Sequence, residues 1–270
     1  MSLSSLIVGT LLAAGIAVAA YALGSLSASG AAAAILVGIL TFGIGGLGPA
    51  ALMILFFVSS TALSRFGGER KRLVAAAFSK GGRRDGAQVA ANGGIAAALS
   101  VLYGVTGEPL WLAGIAGALA AANADTWATE LGVLSHRNPR LITSGAVVEP
   151  GASGGVTADG TAAALAGASV IAVAAGVLGG GWAAALAGAA GGLAGSLLDS
   201  LLGATVQAMY FCPSCGKETE RHPTHSCGTP TRRVRGWPWL QNDAVNFVAT
   251  LFGSLLAVGI WALLPGSGAF

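Results

Sequence analysis

From Trp182 the chain reads Trp-Ala-Ala-Ala-Leu-Ala-Gly-Ala-Ala-Gly-Gly-Leu-Ala-Gly-Ser-Leu-Leu before it reaches its first carboxylate, Asp199. A membrane crossing needs ~20 mostly apolar residues to span ~30 Å of hydrocarbon, and a run this long without charge fits no surface helix of a soluble protein. Its composition says how it packs. Lipid does not push helices together hydrophobically, so close backbone approach through small residues, as in Ala187 to Gly195, supplies the association. The stretch is therefore expected to be a tightly packed helix of an all-α, polytopic transmembrane bundle.

The rest of the chain agrees. Of 270 residues, 54% are hydrophobic, 43 are glycine and 9% are charged, with a mean hydropathy of +0.74, whereas a soluble chain carries roughly 25% charged residues. A cytosolic enzyme is excluded. So are disordered and collagen-like chains, because the apolar content is too high and glycine has no three-residue period. The net charge of +3 and pI near 9.0 do not point to nucleic acid as a partner, since no nucleic-acid motif accompanies them and basic residues flanking apolar runs are topology signals.

Eight apolar windows can be drawn: Leu3 to Leu23, Ala31 to Gly46, Pro49 to Leu63, Ala87 to Val105, Leu110 to Leu134, Val156 to Leu178, Trp182 to Tyr210 and Asp243 to Leu264. The second and third are short and could form a re-entrant pair broken at Gly45, Gly46, Gly48 and Pro49, so seven or eight spans are expected. Leu3 to Leu23 lacks the basic flank of a cleaved signal peptide. Every Lys and Arg falls in three connections: Arg65, Arg70, Lys71, Arg72, Lys80, Arg83 and Arg84 after the third window; Arg137 and Arg140 after the fifth; Lys217, Arg221, Arg232, Arg233 and Arg235 after the seventh. With eight spans these share one side. The positive-inside rule makes that side cytoplasmic and leaves both termini outside, in one integral domain over residues 1–270 of a multi-pass cell-membrane protein.

Acids and amides within the windows form stripes at the ~100° spacing of helical neighbours. Asp85, Gln88 and Asn92 share an arc. So do Asn123, Thr126 and Glu130 with Asp125 on their flank; Ser196, Asp199, Ser200, Gly203 and Gln207; and Asn242, Asp243, Asn246 and Thr250. All are biased toward the basic side. Intramembrane acids are costly and mark function unless paired structurally. Amides and hydroxyls also serve as glue between helices, and Asp85 has Arg83 and Arg84 as neighbours to pair with. Carboxylates, amides and hydroxyls around a cavity suit Mg²⁺ and phosphate oxygens, and phosphoryl transfer asks the protein mainly for positioning and charge neutralisation. The glycine-rich turn with Ser153, Gly154, Gly155 and Thr157 opens the sixth window, where backbone N–H groups and a helix N-terminus can hold phosphate.

The last connection, 210–236, holds all three cysteines. Cys212-x-x-Cys215, followed by His222, His225 and Cys227, matches a structural zinc site of three thiolates and one histidine in a reducing compartment. His225 is the preferred fourth ligand and His222 the alternative.

Arg84 to Gly94, Ala124 to Gly132, Gly154 to Thr157, Gly195 to Gln207 and Asn242 to Asn246 together resemble the integral membrane family called domain of unknown function ninety-two. The resemblance runs from about Tyr21 to Leu256. It implies conversion of an isoprenoid (phytyl or prenyl) monophosphate to its diphosphate by a nucleoside triphosphate, as in plant phytyl-phosphate kinases. Ala124 to Gly132 is also similar to the acidic motif of CTP-dependent lipid-alcohol kinases, which makes CTP the preferred donor. On this reading Asp125, Glu130, Asp199 and Asp243 hold Mg²⁺ or orient the acceptor phosphate, Arg83 and Arg84 neutralise charge, and Ser153 to Thr157 cradles the donor. The rival readings are an ion-coupled transporter and a non-catalytic scaffold built around the zinc loop.

Overall fold

A computed structural model describes residues 3–66 and 82–264. The basic residues Arg70, Lys71, Arg72 and Lys80 lie outside the described residues. Helices are α1 (Leu3–Ala22), α2 (Ala28–Gly38, continued by a π-helical turn, Ile39–Ile44), α3 (Leu47–Arg65), α4 (Gly86–Thr106), α5 (Pro109–Gly132), α6 (Ala158–Ala175), α7 (Gly181–Thr205) and α8 (Asn242–Leu263).

The middle of the bundle is α5. Pro109 starts it, at a position where the missing N–H costs nothing, and every residue from Leu112 to Ala124 is buried. A helix apolar all round has no solvent or lipid face; α3, α4, α6, α7 and α8 pack around this one. The polar exception in that run is Asn123. Ser59 Oγ donates to its Oδ1 at 2.9 Å and its Nδ2 donates to the Gly167 carbonyl at 2.8 Å, so this amide ties α3, α5 and α6 together.

Small residues set the helix spacing. Helix α6 turns back into α7 where Leu178 and Gly179 leave helical geometry, Gly179 at φ +113°. The two then run antiparallel, Gly188 against Ala172 and Gly192 against Ala168. Helices α5, α7 and α8 meet where Gly117 and Gly191 both approach Gly253. A Cβ at Gly117 would run into the Gly253 carbonyl and stand 2.5 Å from the Ala257 methyl. Overpacking against backbone cannot be relieved by a rotamer change, so Gly117→Val is expected to lower stability by about 2 kcal/mol or more. Gly94→Ala, where an added methyl meets nothing within 4 Å, is the matched control. Thermal melting of both variants in detergent checks this: equal melting would mean the helices separate freely at Gly117.

The protein is a predominantly helical membrane protein. Among the described residues, five stretches are long and apolar enough to cross a bilayer: Leu3–Ala22, Leu47–Arg65, Gly86–Thr106, Ala158–Thr205 and Asn242–Leu263. That is fewer than the seven or eight expected, for physical reasons. The 48-residue stretch Ala158–Thr205 is the α6–α7 hairpin, α2 with its π turn is shorter, and the polar residues Asn123, Asp125, Thr126 and Glu130 dilute the apolarity of α5.

The expectation of helices alone needs amending. The connection from α5 to α6 contains β1 (Arg140–Leu141) paired with β2 (Gly155–Val156). Helix α7 stops at Thr205, so the window running to Tyr210 is too long; β3 (Met209–Cys212) follows, flanked by β4 (Lys217–Thr219) and β5 (Arg232–Arg235) in the order β4-β3-β5, all antiparallel. Tyr210 and Phe211 are natural strand formers. This sheet is tied to the bundle by Arg235 Nη1 donating to the Gly203 carbonyl at 2.8 Å and by Trp237 N–H donating to the Val206 carbonyl at 2.9 Å.

Candidate functional site

The late turns of α5 carry Asp125 and the late turns of α7 carry Asp199. The two carboxylates are close enough to interact electrostatically, and both also feel Glu220, just past β4. One oxygen of Asp199, Oδ2, is buried and accepts no hydrogen bond. Burying a carboxylate oxygen without a donor costs several kcal/mol, and packing gives no reason to keep it there.

A relay of hydrogen bonds holds Glu220 beside the pair. Ser153 Oγ donates to Gln207 Oε1 at 3.1 Å, and Gln207 Nε2 donates to Glu220 Oε1 at 2.8 Å. Gln207 is only 2% exposed. The glycine-rich turn thus reaches the acids through Gln207. Gly154, at φ +82°, lies so close to Ala204 that an added Cβ would come within 2.5 Å of its methyl, which seats the turn on α7. Gly155 is in β2, and Thr157 caps α6 by accepting from Gly160 N–H at 2.9 Å.

Next to the turn is a cavity of about 410 Å³ lined by Arg137, Asn138, Arg140, Val147, Val156, Thr157 and Ala158. Two guanidinium groups at a helix N-terminus favour anions. In the sequence Arg137 and Arg140 read only as topology signals. Glu220 has no helical stripe to betray it, so nothing in its local sequence singles it out.

The remaining residues of the sequence-derived site lie on other elements or have contacts of their own. Glu130 is within electrostatic reach of Arg84. Arg84 donates to Ser60 Oγ at 3.0 Å and Thr61 Oγ1 at 3.1 Å and lies over the Phe56 and Phe57 rings, which fastens the start of α4 to α3. Arg83 is exposed near Gly24. Asp85 and Gln88 form the capping box of α4, and Asn92 Nδ2 donates to the Gln88 carbonyl at 3.0 Å. These bonds serve helix α4 itself, as Asn123 serves the helix contacts described above. Ser196 is buried on α7, and Asn242, Asp243 and Asn246 occupy the first two turns of α8.

The cysteine-rich connection forms a compact centre. The ligand atoms of Cys212, Cys215, His225 and Cys227 all lie within 4.8 Å of one another. Cys212 and Cys227 sulfurs are 3.5 Å apart, and His225 Nδ1 is 3.4 Å from Cys215 Sγ and 3.3 Å from Cys227 Sγ. Hydrogen bonding with Thr229 and His225 holds the Cys227 thiol down at about 5, whereas its bond to Cys227 pushes Cys215 up to about 11. Three sulfurs and an imidazole nitrogen converging on one point fit a tetrahedral zinc ion. His222 points elsewhere, stacked on Tyr210 with ring centroids 4.5 Å apart.

Comparison with known proteins adds to the geometry. The family model described as integral membrane protein DUF92 matches residues 11–254. Protein PGR of Arabidopsis thaliana is 35% identical over 267 residues, covering 89% of this chain and 91% of that protein. An uncharacterized membrane protein of Synechocystis sp. is 29% identical over 223 residues, 81% of this chain and 76% of its own length. One of Methanocaldococcus jannaschii is 38% identical over 120 residues, 44% of this chain and 49% of its own. No solved structure matches the chain.

Proposed function

Because the chain belongs to the integral membrane family DUF92, we propose that it is an isoprenoid-phosphate kinase working at the cytoplasmic face of the cell membrane. The observation that carries this reading is the unsatisfied Asp199 oxygen beside Asp125, at the same end of the bundle as the arginine-lined cavity. Eight passes, with both termini outside, put the basic connections and the acids on one side.

In the reaction the terminal P–O bond of a nucleoside triphosphate, with CTP preferred, breaks. A new P–O bond forms to an oxygen of the phytyl or prenyl monophosphate, and the nucleoside diphosphate leaves. Asp125 and Asp199 hold the metal; Mg²⁺ bound there supplies neutralisation of the phosphates' charge. Arg137 and Arg140, beside the turn Ser153 to Thr157, bind donor phosphates over the N-terminus of α6 and supply the charge neutralisation that the sequence assigns to Arg83 and Arg84. Glu130 and Asp243 support the site from its edges. The isoprenoid tail lies among the small-residue helices, open to lipid. Zinc in the Cys212, Cys215, His225 and Cys227 centre is structural.

A transporter would place its coupling acids near the bilayer midplane, whereas Asp125 and Asp199 both belong to the last third of their helices. The purified protein, incubated in detergent with farnesyl, geranylgeranyl or phytyl monophosphate and each of four nucleoside triphosphates, is expected to form the diphosphate. No product from any pair overturns the assignment.

A further inference from the structure

We propose that Glu220 is the third carboxylate of a divalent-cation site with Asp125 and Asp199, delivered to the membrane surface by the cysteine-rich sheet. The proposal deepens the phosphotransfer reading by adding a ligand from outside the helices. Three acids in mutual electrostatic reach repel one another unless something positive lies between them. A cluster of acids alone would not establish a site. Here Asp199 Oδ2 is also buried with no hydrogen-bond donor, an oxygen left for a ligand that is not a protein N–H. Hard cations such as Mg²⁺ and Mn²⁺ take carboxylate oxygens.

Glu220 is aimed rather than incidental. Gln207 is almost fully buried, and its carbonyl end is occupied by Ser153, which turns its NH₂ end toward Glu220. Ser153, Gln207 and Glu220 come from three separate segments, so the cation site is complete only when the turn, the end of α7 and the sheet are all in place. Glu218, two residues earlier, is exposed and lies 3.8 Å from Arg235 Nε.

The test titrates Mn²⁺ into the full-length protein in detergent and reads free Mn²⁺ by electron paramagnetic resonance. The wild type is expected to take up one Mn²⁺ per chain saturably. Glu220→Gln is expected to weaken that uptake at least tenfold, Glu220→Asp, which keeps the charge, less than Glu220→Gln, and Glu218→Gln not at all. No saturable uptake by the wild type, a weakening below tenfold in Glu220→Gln, or equal losses in both Glu220 variants together with a lowered melting temperature each overturn the proposal. Its failure differs from failure of the kinase reading. Mn²⁺ uptake as expected with no diphosphate product sinks the kinase alone, and product formation without the Mn²⁺ site sinks the site alone.

Discussion

Asp199→Asn is expected to abolish diphosphate formation, by at least about a thousandfold, and at the same time to raise the melting temperature of the metal-free protein. The two effects have one cause. Asp199 Oδ2 is buried without a donor and stands in the field of Asp125 and Glu220. Replacing the carboxylate by a neutral amide of nearly the same shape lowers the desolvation cost and removes the like-charge repulsion, a gain of about 1–3 kcal/mol. The same change deletes an anionic oxygen from the place where donor and acceptor phosphates must be held together. Functional sites commonly trade stability for activity in this way. Melting in detergent without divalent cations and a single-turnover assay on the same preparation check it. An inactive variant that melts lower would make Asp199 a structural residue, and an active one would remove it from the mechanism.

The helical part of this architecture is readable in the sequence because its signal is local. Uncharged runs, Gly and Ala at close-packing spacing, and basic residues in alternate connections each need only a window of the chain. The same logic finds Asp125 and Asp199, since a carboxylate in such a run has few structural excuses. It over-collects as well: Asp85, Gln88 and Asn92 share a helical arc, yet their hydrogen bonds cap and follow α4, and local capping leaves the same stripe as a binding face. Glu130 falls on the acidic stripe of α5, but Arg84 claims it from a different segment. Gln207 reads as the end of the α7 stripe, whereas Glu220, Arg137 and Arg140 are invisible for the opposite reason. They sit in strands and turns with no periodicity, and their meeting depends on how the α5–α6 connection and the cysteine-rich sheet fold back on the ends of the helices.

Cys212→Ser is expected to cost the protein a bound zinc ion and the order of residues 209–235 while leaving the helical bundle standing. Cys212 is fully buried at the end of β3, with Cys227 Sγ 3.5 Å away and His225 Nδ1 within the same cluster. A closed set of four ligands holds zinc structurally, and such binding contributes on the order of 10 kcal/mol to the folding of a small module, far more than a three-stranded sheet this short supplies by itself. His225→Ala should also lose the metal. His222→Ala should keep it, because His222 stacks on Tyr210 and offers nothing to the centre. Elemental analysis gives the zinc content per chain, and limited proteolysis maps where the chain opens. Anchors on the bundle side, such as the Arg235 bond to the Gly203 carbonyl, should limit the damage, so α5 to α8 stay protease-resistant while Glu220 loses its place beside the acid pair. Uptake of Mn²⁺ and diphosphate formation then fall together, without unfolding of the helices. A Cys212→Ser protein with unchanged proteolysis and no zinc in the wild type would instead mean that the thiols are free and that β3 is held by Met209 and Tyr210 packing alone.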